Sequence, residues 1–428
     1  MQKKLAAILS IAALSATAVI SVATPASALS PGVEFNAVAL PTWQTNGIAW
    51  TIEEAGGVMY VGGTFTQIRP PGTPATTNQA RSAVNFAAFD AYTGNPTSCA
   101  LSFTGGTGTT VRAMDVSPDG RKLYVGGNFT NVNGVAANRL AAINLPDCTV
   151  DTGFRPGNIS STVRAVAATA DTVYIGGDFV TVNNQSRRFF AAVNTSGALQ
   201  PWAPAVDNVG RAIDVPEGRD VVLIGGDFAT VNEADSKALA VVDKGTGASV
   251  RTYPTREYIA RTAVIKDIAS DGGNFYIAGE GTGPTSFDGR ARLSLENNYE
   301  QVWKDVCQGA TQAVLPYKGV LYSGHHIHDC SNMPGGFSDG NRKHLSAQDI
   351  NNPYPFLGWS PDTNDGTGEG IGPRAMAMTK AASNNVMWVA GEFTTTNGSP
   401  QQGLTRFGPG PASAPPGKAA PERPTARS

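Results

Sequence analysis

Charge is scarce in this 428-residue chain. Only 15 % of its residues are Asp, Glu, Lys or Arg, there are four cysteines and four histidines, and no apolar run after Val22 is long enough to span a bilayer. The 32 basic and 34 acidic residues nearly cancel, which excludes bulk electrostatic attraction to nucleic acid. No Cys-x-x-Cys is present, so cysteine ligation of zinc is the lesser alternative. Neither a phosphate loop nor a dinucleotide fingerprint occurs, no nucleophile elbow is expected, and no carboxylate pair stands out as a glycosidase acid and nucleophile. Forty-nine glycines and thin charge suit tight turns and β-structure, and suit helices poorly.

Residues 1–28 have the three parts of a secretory signal. Lys3 and Lys4 lead, Leu5–Val22 is the apolar core, and Ala26-Ser-Ala28 is the cleavage site. A membrane anchor is the alternative, and it fits the Ala/Ser-rich core and the cleavage site less well. Removal of the two lysines takes the net charge from −2 to about −4. Export, to the outside of the cell or its surface, permits disulfides. Cys99, Cys148, Cys307 and Cys330 allow three pairings. Cys99 and Cys148 hold similar places in adjacent repeats, and Cys307 and Cys330 fall within one. The expected pairs are therefore Cys99–Cys148 and Cys307–Cys330.

What is abundant is a repeat. Lys122-Leu-Tyr-Val-Gly-Gly-Asn-Phe-Thr-Asn-Val-Asn-Gly134 leads apolar residues into Gly-Gly, then an aromatic, then an Asn-Gly turn. Close copies stand at Met59–Phe65, Val173–Phe179 and Val222–Phe228, with others at Phe275–Glu280, Leu321–Ile327 and Met387–Phe393. The anchors Tyr60, Tyr124, Tyr174, Leu223, Tyr276, Tyr322 and Trp388 are 64, 50, 49, 53, 46 and 66 residues apart. A period near fifty with four short strands per unit predicts an all-β, seven-bladed β-propeller over residues 29–408. In the second unit the expected strands are Val111–Ser117, Lys122–Val132, Arg139–Asn144 and a short outer piece at Phe154–Pro156. Trp202–Pro204 has the outer part in the third. Asn36–Trp43 is expected to complete the last blade and close the ring, leaving no free sheet edge. Residues 409–428, rich in Pro and Ala, predict a disordered tail or linker.

The pattern Tyr/Leu-Val/Ile-Gly-Gly-x-Phe-x-x-Val-Asn resembles the delta-sixty β-propeller repeats of exported bacterial proteins, over roughly residues 36–408. The fifth copy lacks the Phe and the Asn turn, and the sixth replaces the second Gly and the Phe. The resemblance implies an extracellular propeller and carries no catalytic residues to transfer.

Two columns emerge when the copies are aligned. After the second Gly stand Thr64, Asn128, Asp178, Asp227, Glu280, His326 and Glu392. Near the start of the first strand stand Arg112, Arg164, Arg211, Lys266, Gln312 and Arg374, with Trp50 or a neighbour in the first unit. Such columns form rings about a propeller axis. They either pair to pin strands in register or line a channel mouth that binds a polar ligand, a glycan or a cation. All four histidines, His325, His326, His328 and His344, lie within twenty residues in and beyond the sixth unit. His326 and His328 share one strand face and are candidate ligands for a transition metal, with Asp329, His344 or a ring acid as a third. The alternatives are a metal-free acid–base or ligand site, or simple occupation of the polar column. Asp362–Gly368 spaces oxygens as a calcium loop does but lacks the distal Glu, so a solvated turn competes with a calcium site. The expected function is a binding or scaffold module for extracellular polysaccharide, cell-wall material or a surface protein. A metal-assisted hydrolase or lyase at the histidines is second, and a plain structural spacer third.

Overall fold

Each repeat alternates apolar strand formers with turn residues, and in the computed structural model each becomes one antiparallel sheet. The structure describes residues 32–255, 262–282, 287–305, 307–338, 340–381 and 383–410. The leader at 1–28 and the tail from residue 411 lie outside the described residues. Among the described residues there is no helix. The second sheet shows the plan: Thr110–Val116, Lys122–Asn128, Leu140–Asn144 and Thr149–Val150 lie side by side in that order. The other six large sheets open with Ile48–Ala55, Val163–Ala168, Gly210–Asp214, Val264–Asp271, Thr311–Tyr317 and Pro373–Met378, and five small two- or three-stranded sheets accompany the seven. These seven opening strands touch one another in chain order, and the last touches the first. They are the inner strands. Phe35–Leu40 pairs antiparallel with Leu404–Pro409, setting Leu40 opposite Arg406, so it is the outermost strand of the seventh sheet.

Both faces of each sheet are covered by neighbours, and the core lies in layers between sheets. Leu123 and Val125 pack with Tyr60 and Phe86 of the first sheet. Tyr124, pointing the other way, packs with Val173 and Ile175 of the third. That is why the second strands read as unbroken apolar runs.

The expected Lys122–Val132 strand is in fact two. It ends at Asn128, the chain leaves the sheet at the buried Phe129, and Asn131–Val132 forms a separate small hairpin with Val135–Ala136. The Asn of each such turn has positive φ, 48° at Asn133, 51° at Asn183, 49° at Asn232 and 49° at Asn397. Each also accepts a backbone N–H from the loop before its sheet, as Ser102 N–H to Asn133 Oδ1 at 2.7 Å. Asn both tolerates the left-handed backbone and supplies that acceptor. The outer-strand assignments at Phe154–Pro156 and Trp202–Pro204 are also corrected. Neither is a strand. Phe154 and Trp202 are buried wedges, stacking on Tyr124 and Tyr174, and the outer strand of the second sheet is Thr149–Val150.

Both disulfides are present, Cys99–Cys148 between the first two sheets and Cys307–Cys330 within the sixth repeat. The repeated Gly-Gly has a steric cause. A Cβ on the second glycine, Gly127, would fall deep inside van der Waals contact with Thr110 O of the inner strand. The same holds at Gly63, Gly177, Gly226 and Gly391. Gly127→Ala is expected to destabilise the fold by about 1–3 kcal/mol in chemical denaturation, the usual range for forced overpacking. Replacing Cys99 and Cys148 with Ala is expected to cost about 2–4 kcal/mol by the same measurement.

Candidate functional site

Opposite the Gly-Gly, or the Ala278-Gly279, Gly324-His325 and Ala390-Gly391 that replace it, the pairing slips by one residue in all seven large sheets. In the second, Gly126 is opposite Ala113 and Gly127 is opposite Val111, so Arg112 is the extra residue of a β-bulge. The extra residues elsewhere are Trp50, Arg164, Arg211, Lys266, Gln312 and Arg374. A bulge re-aims its side chain. These seven, with Glu369, rim one mouth of a cavity of about 310 Å³ that runs inward along the inner strands.

The two sequence columns meet there. Asp178 accepts two hydrogen bonds from Arg164, at 2.6 and 2.8 Å. Asp227 holds Arg211 in the same bidentate way. Glu280 takes Lys266 at 3.0 Å and Gln312 at 2.8 Å. The buried Glu392 takes Arg374 at 2.7 Å and the backbone N–H groups of Glu369 and Ile371 at 2.8 Å. These four acids thus pin strands, and it is their partners Arg164, Arg211, Lys266, Gln312 and Arg374 that line the mouth. The first two sheets differ. Trp50 Nε1–H donates to Thr64 Oγ1 at 2.9 Å. Asn128 turns its amide to Gly108 O at 3.0 Å, and Arg112 has no hydrogen-bond or ion-pair partner among the described residues. Arg112 lies flat against Trp50, 3.8 Å from the ring centroid, with Arg374 also near that ring at 5.0 Å. Burial, and then the like charges of Arg164, Arg374 and Arg211, push the Arg112 guanidinium down to about 10 against the opposing pull of the Glu369 carboxylate.

Deeper in the cavity is a second set of charges that the sequence columns do not include: Glu53, Asp115, Asp214 and Asp267. A signal was there, since Glu53, Asp115 and Asp214 each stand three positions after a bulge residue. Asp115 Oδ2 accepts from Ala168 N–H of the next inner strand at 2.6 Å, and Asp267 Oδ2 from Val314 N–H at 2.9 Å. These carboxylates staple one open strand edge to the next. Asp214 Oδ2 is sealed and has no partner. Burial raises Asp115 and Asp267 to about 6 and Asp214 to about 7, and it lifts Glu53 well above its ordinary value.

The expected pair His326 and His328 does not converge; instead His326 Nδ1 and His344 Nε2 both face Asp365 Oδ1, at 3.9 and 3.1 Å. His325 is buried, bonded to Lys343 O and Ser346 Oγ at 2.8 Å each, and burial holds its pKa well below the ordinary value. His326 Nδ1 meets Gly370 O at 3.3 Å, while His328 is exposed with its ring 6.3 Å away. Asp329 Oδ1 accepts from Ser331 N–H, and Cys330 is in its disulfide. Among the described residues no three His, Cys, Asp or Glu form a group that could hold a metal ion. In the proposed calcium loop, Asp362 and Asp365 bond His344 at 2.9 and 3.1 Å, and Asn364 Oδ1 caps Thr394 N–H and Thr395 N–H. Its oxygens face protein donors. Contrary to expectation, one nucleophile-elbow string does occur, Gly336-Phe-Ser-Asp-Gly340. Ser338 sits in an exposed loop with no helix after it, so the strand–turn–helix context is missing.

Comparison with known proteins bears on the ring of sheets. Residues 118–154 match a family model described as a domain of unknown function (DUF5122) beta-propeller. The domain is a β-propeller. The matched segment spans most of the second sheet and carries the propeller, not the narrower delta-sixty resemblance. The propeller is similar in fold to the crystal structure of a computationally designed protein, Ika8, with a TM-score of 0.50 and 11 % identity over 86 % of this chain and 98 % of that one. No curated protein matches.

The cavity acids set a pH dependence. In the folded propeller Asp214 keeps its proton up to about pH 7, against an ordinary 3.8, so the folded state is penalised as pH rises from about 4 through 7. Neighbouring Asp115 and Asp267 act in the same direction, and neutral His325 acts oppositely below about 6.5. The difference between wild type and Asp214→Asn isolates the acid. The variant is expected to melt about 2–4 °C higher than wild type at pH 8, and at the same temperature near pH 4, by calorimetry.

Proposed function

We propose that this chain is an exported, closed seven-bladed β-propeller that works as a binding module outside the cell, and that polysaccharide or cell-wall material docks at the mouth ringed by the bulge residues. Closure is supported by the cyclic contacts of the inner strands and by the pairing of Phe35–Leu40 with Leu404–Pro409. Export is supported by the leader in the sequence and by two disulfides, which persist in oxidising compartments. No helix of the described residues is long and apolar enough to cross a membrane.

The observation that carries the binding reading is the seven bulges. The bulge residues Trp50 and Arg112 form no ion pair between strands, so pinning does not account for all seven. Here every blade spends a bulge on turning one large polar or aromatic side chain toward a shared mouth. Planar, bidentate groups such as the Arg164–Asp178 and Arg211–Asp227 pairs present fixed donors and acceptors to a hydroxyl-rich ligand. Among the described residues no group of three metal ligands forms, and the second reading, a metal-assisted enzyme at His326 and His328, rests on the sequence alone.

The double variant Arg211→Ala/Asp227→Ala removes both partners and strands no charge. It is expected to weaken binding to isolated cell-wall polysaccharide at least about tenfold in co-sedimentation or calorimetry, with His326→Ala/His328→Ala unchanged. Equal binding by wild type and the mouth variant, or loss in the histidine variant alone, sinks the proposal.

A further inference from the structure

Blade by blade, the mouth is a set of matched pairs. Arg164, Arg211, Lys266 and Arg374 each have a carboxylate from the column after the second Gly. In the second blade that position holds Asn128, whose amide is turned away to Gly108 O. The first blade contributes Thr64 and Trp50, which bond each other. Arg112 is the one basic member of the ring with no ion pair or hydrogen bond among the described residues; it stands among three other cations, and the Glu369 carboxylate that attracts it is held by Arg374 at 2.9 Å.

The stack on Trp50 does not satisfy it. A guanidinium stacked on an aromatic ring spends its face and keeps its edge, and the five N–H donors lie in that edge. A half-buried edge of unpartnered donors at the rim of an open cavity fits a planar oxyanion, which can take two parallel N–H···O bonds. Trp50 on one face fixes the plane in which those donors point. The bound anion would also offset the mutual repulsion of Arg112, Arg164, Arg374 and Arg211.

Building on the proposed binding function, we infer that the ligand carries an oxyanion, a carboxylate or a phosphate on an extracellular polymer, and that Arg112 stacked on Trp50 is the residue that takes it. The break in the repeat at Asn128 is what leaves Arg112 free for that role.

The repeat itself supplies the test. Asn128→Asp restores in the second blade the pair found in the third, so Arg112 is neutralised in place while Trp50 and the bulge are kept. Binding is measured by calorimetry for wild type, Asn128→Asp and Arg112→Ala against three probes: polygalacturonate for carboxylate, a polyglycerol phosphate for phosphate, and a neutral β-glucan. Thermal melts check that each variant folds. The expected result is that wild type binds one of the two anionic polymers, more weakly as salt rises, and that Asn128→Asp and Arg112→Ala each lose about tenfold or more. Which polymer binds identifies the oxyanion. Binding of an anionic polymer that survives Asn128→Asp overturns the assignment to Arg112. Binding of the neutral glucan alone, lost in Arg211→Ala/Asp227→Ala, overturns the oxyanion and leaves the mouth as the site. Binding of none of the three, together with no binding to isolated cell-wall polysaccharide, overturns the binding function itself.

Discussion

In five of the seven large sheets the mouth is built where one position has no room for a Cβ. The second glycine of each Gly-Gly crosses the inner strand so closely that the carbonyl of that strand occupies the place of a side chain. The crossing is possible because the strands slip by one residue there, and the residue left over is the one aimed at the axis. Without the slip, inner-strand side chains would alternate between the two neighbouring sheets and none would belong to the mouth. The first glycine has a different neighbour. A Cβ at Gly126 would meet Val163, and one at Gly225 would meet Ile265, each near the start of the next blade's inner strand. In the seventh blade the position is Ala390, in one core cluster with Ala49, the smaller residue at the matching place in the next strand. Where both glycines are kept, one sets the spacing between blades and the other lets the strand cross closely at the bulge; the fifth and sixth sheets keep the bulge without that close crossing.

In the sixth blade the second glycine is lost, and the packing around it changes. His325 stands in its place, opposite Thr311. It is buried, neutral and bonded to Ser346, which also bonds Ser323 and Arg290. Arg290 in turn pairs with the fully buried Asp305, and Gln348 completes that carboxylate at 3.1 Å. A polar network thus fills a space that glycine leaves tight in other blades. Buried charges of this kind persist only when paired and hydrogen-bonded. The cluster of histidines that reads as chemistry in the sequence is, at His325 and His344, such packing.

Periodicity decided how much of this was legible in the sequence. Seven anchors, four of them with Gly-Gly, and the polar columns repeat, so the sheets, the ring of polar residues and the Asn turns could be read directly. Phe129 and Phe154 could not, because an aromatic in an alternating run looks like strand, and only the packing between sheets shows that each has left the ladder as a wedge. The acids at Glu53, Asp115 and Asp214 were readable in principle by their fixed offset. Asp267 was not, since it comes directly after its bulge residue and reaches the cavity by another register. The unpaired state of Arg112 was half legible: Asn128 already broke the acid column, but the turn of its amide toward Gly108 is visible only in three dimensions.

The two levels of charge are carried on the same strands, and their order has a consequence for how a ligand lies. Three residues of strand separate Arg112 from Asp115, a rise of about 10 Å. An anion held at the mouth gains the nearby guanidinium groups. Moved inward by that distance, it would lose them and face Glu53, Asp115, Asp214 and Asp267, each ionised acid opposing it by about 1–2 kcal/mol at an effective dielectric near 20. Protonation of the acids softens this barrier below about pH 6–7, in the range where burial holds their pKa values. The acidic polymer proposed as ligand would therefore, at neutral pH and above, lie across the mouth rather than move inward. The carboxylates that staple the inner strand edges also act as the floor of the site.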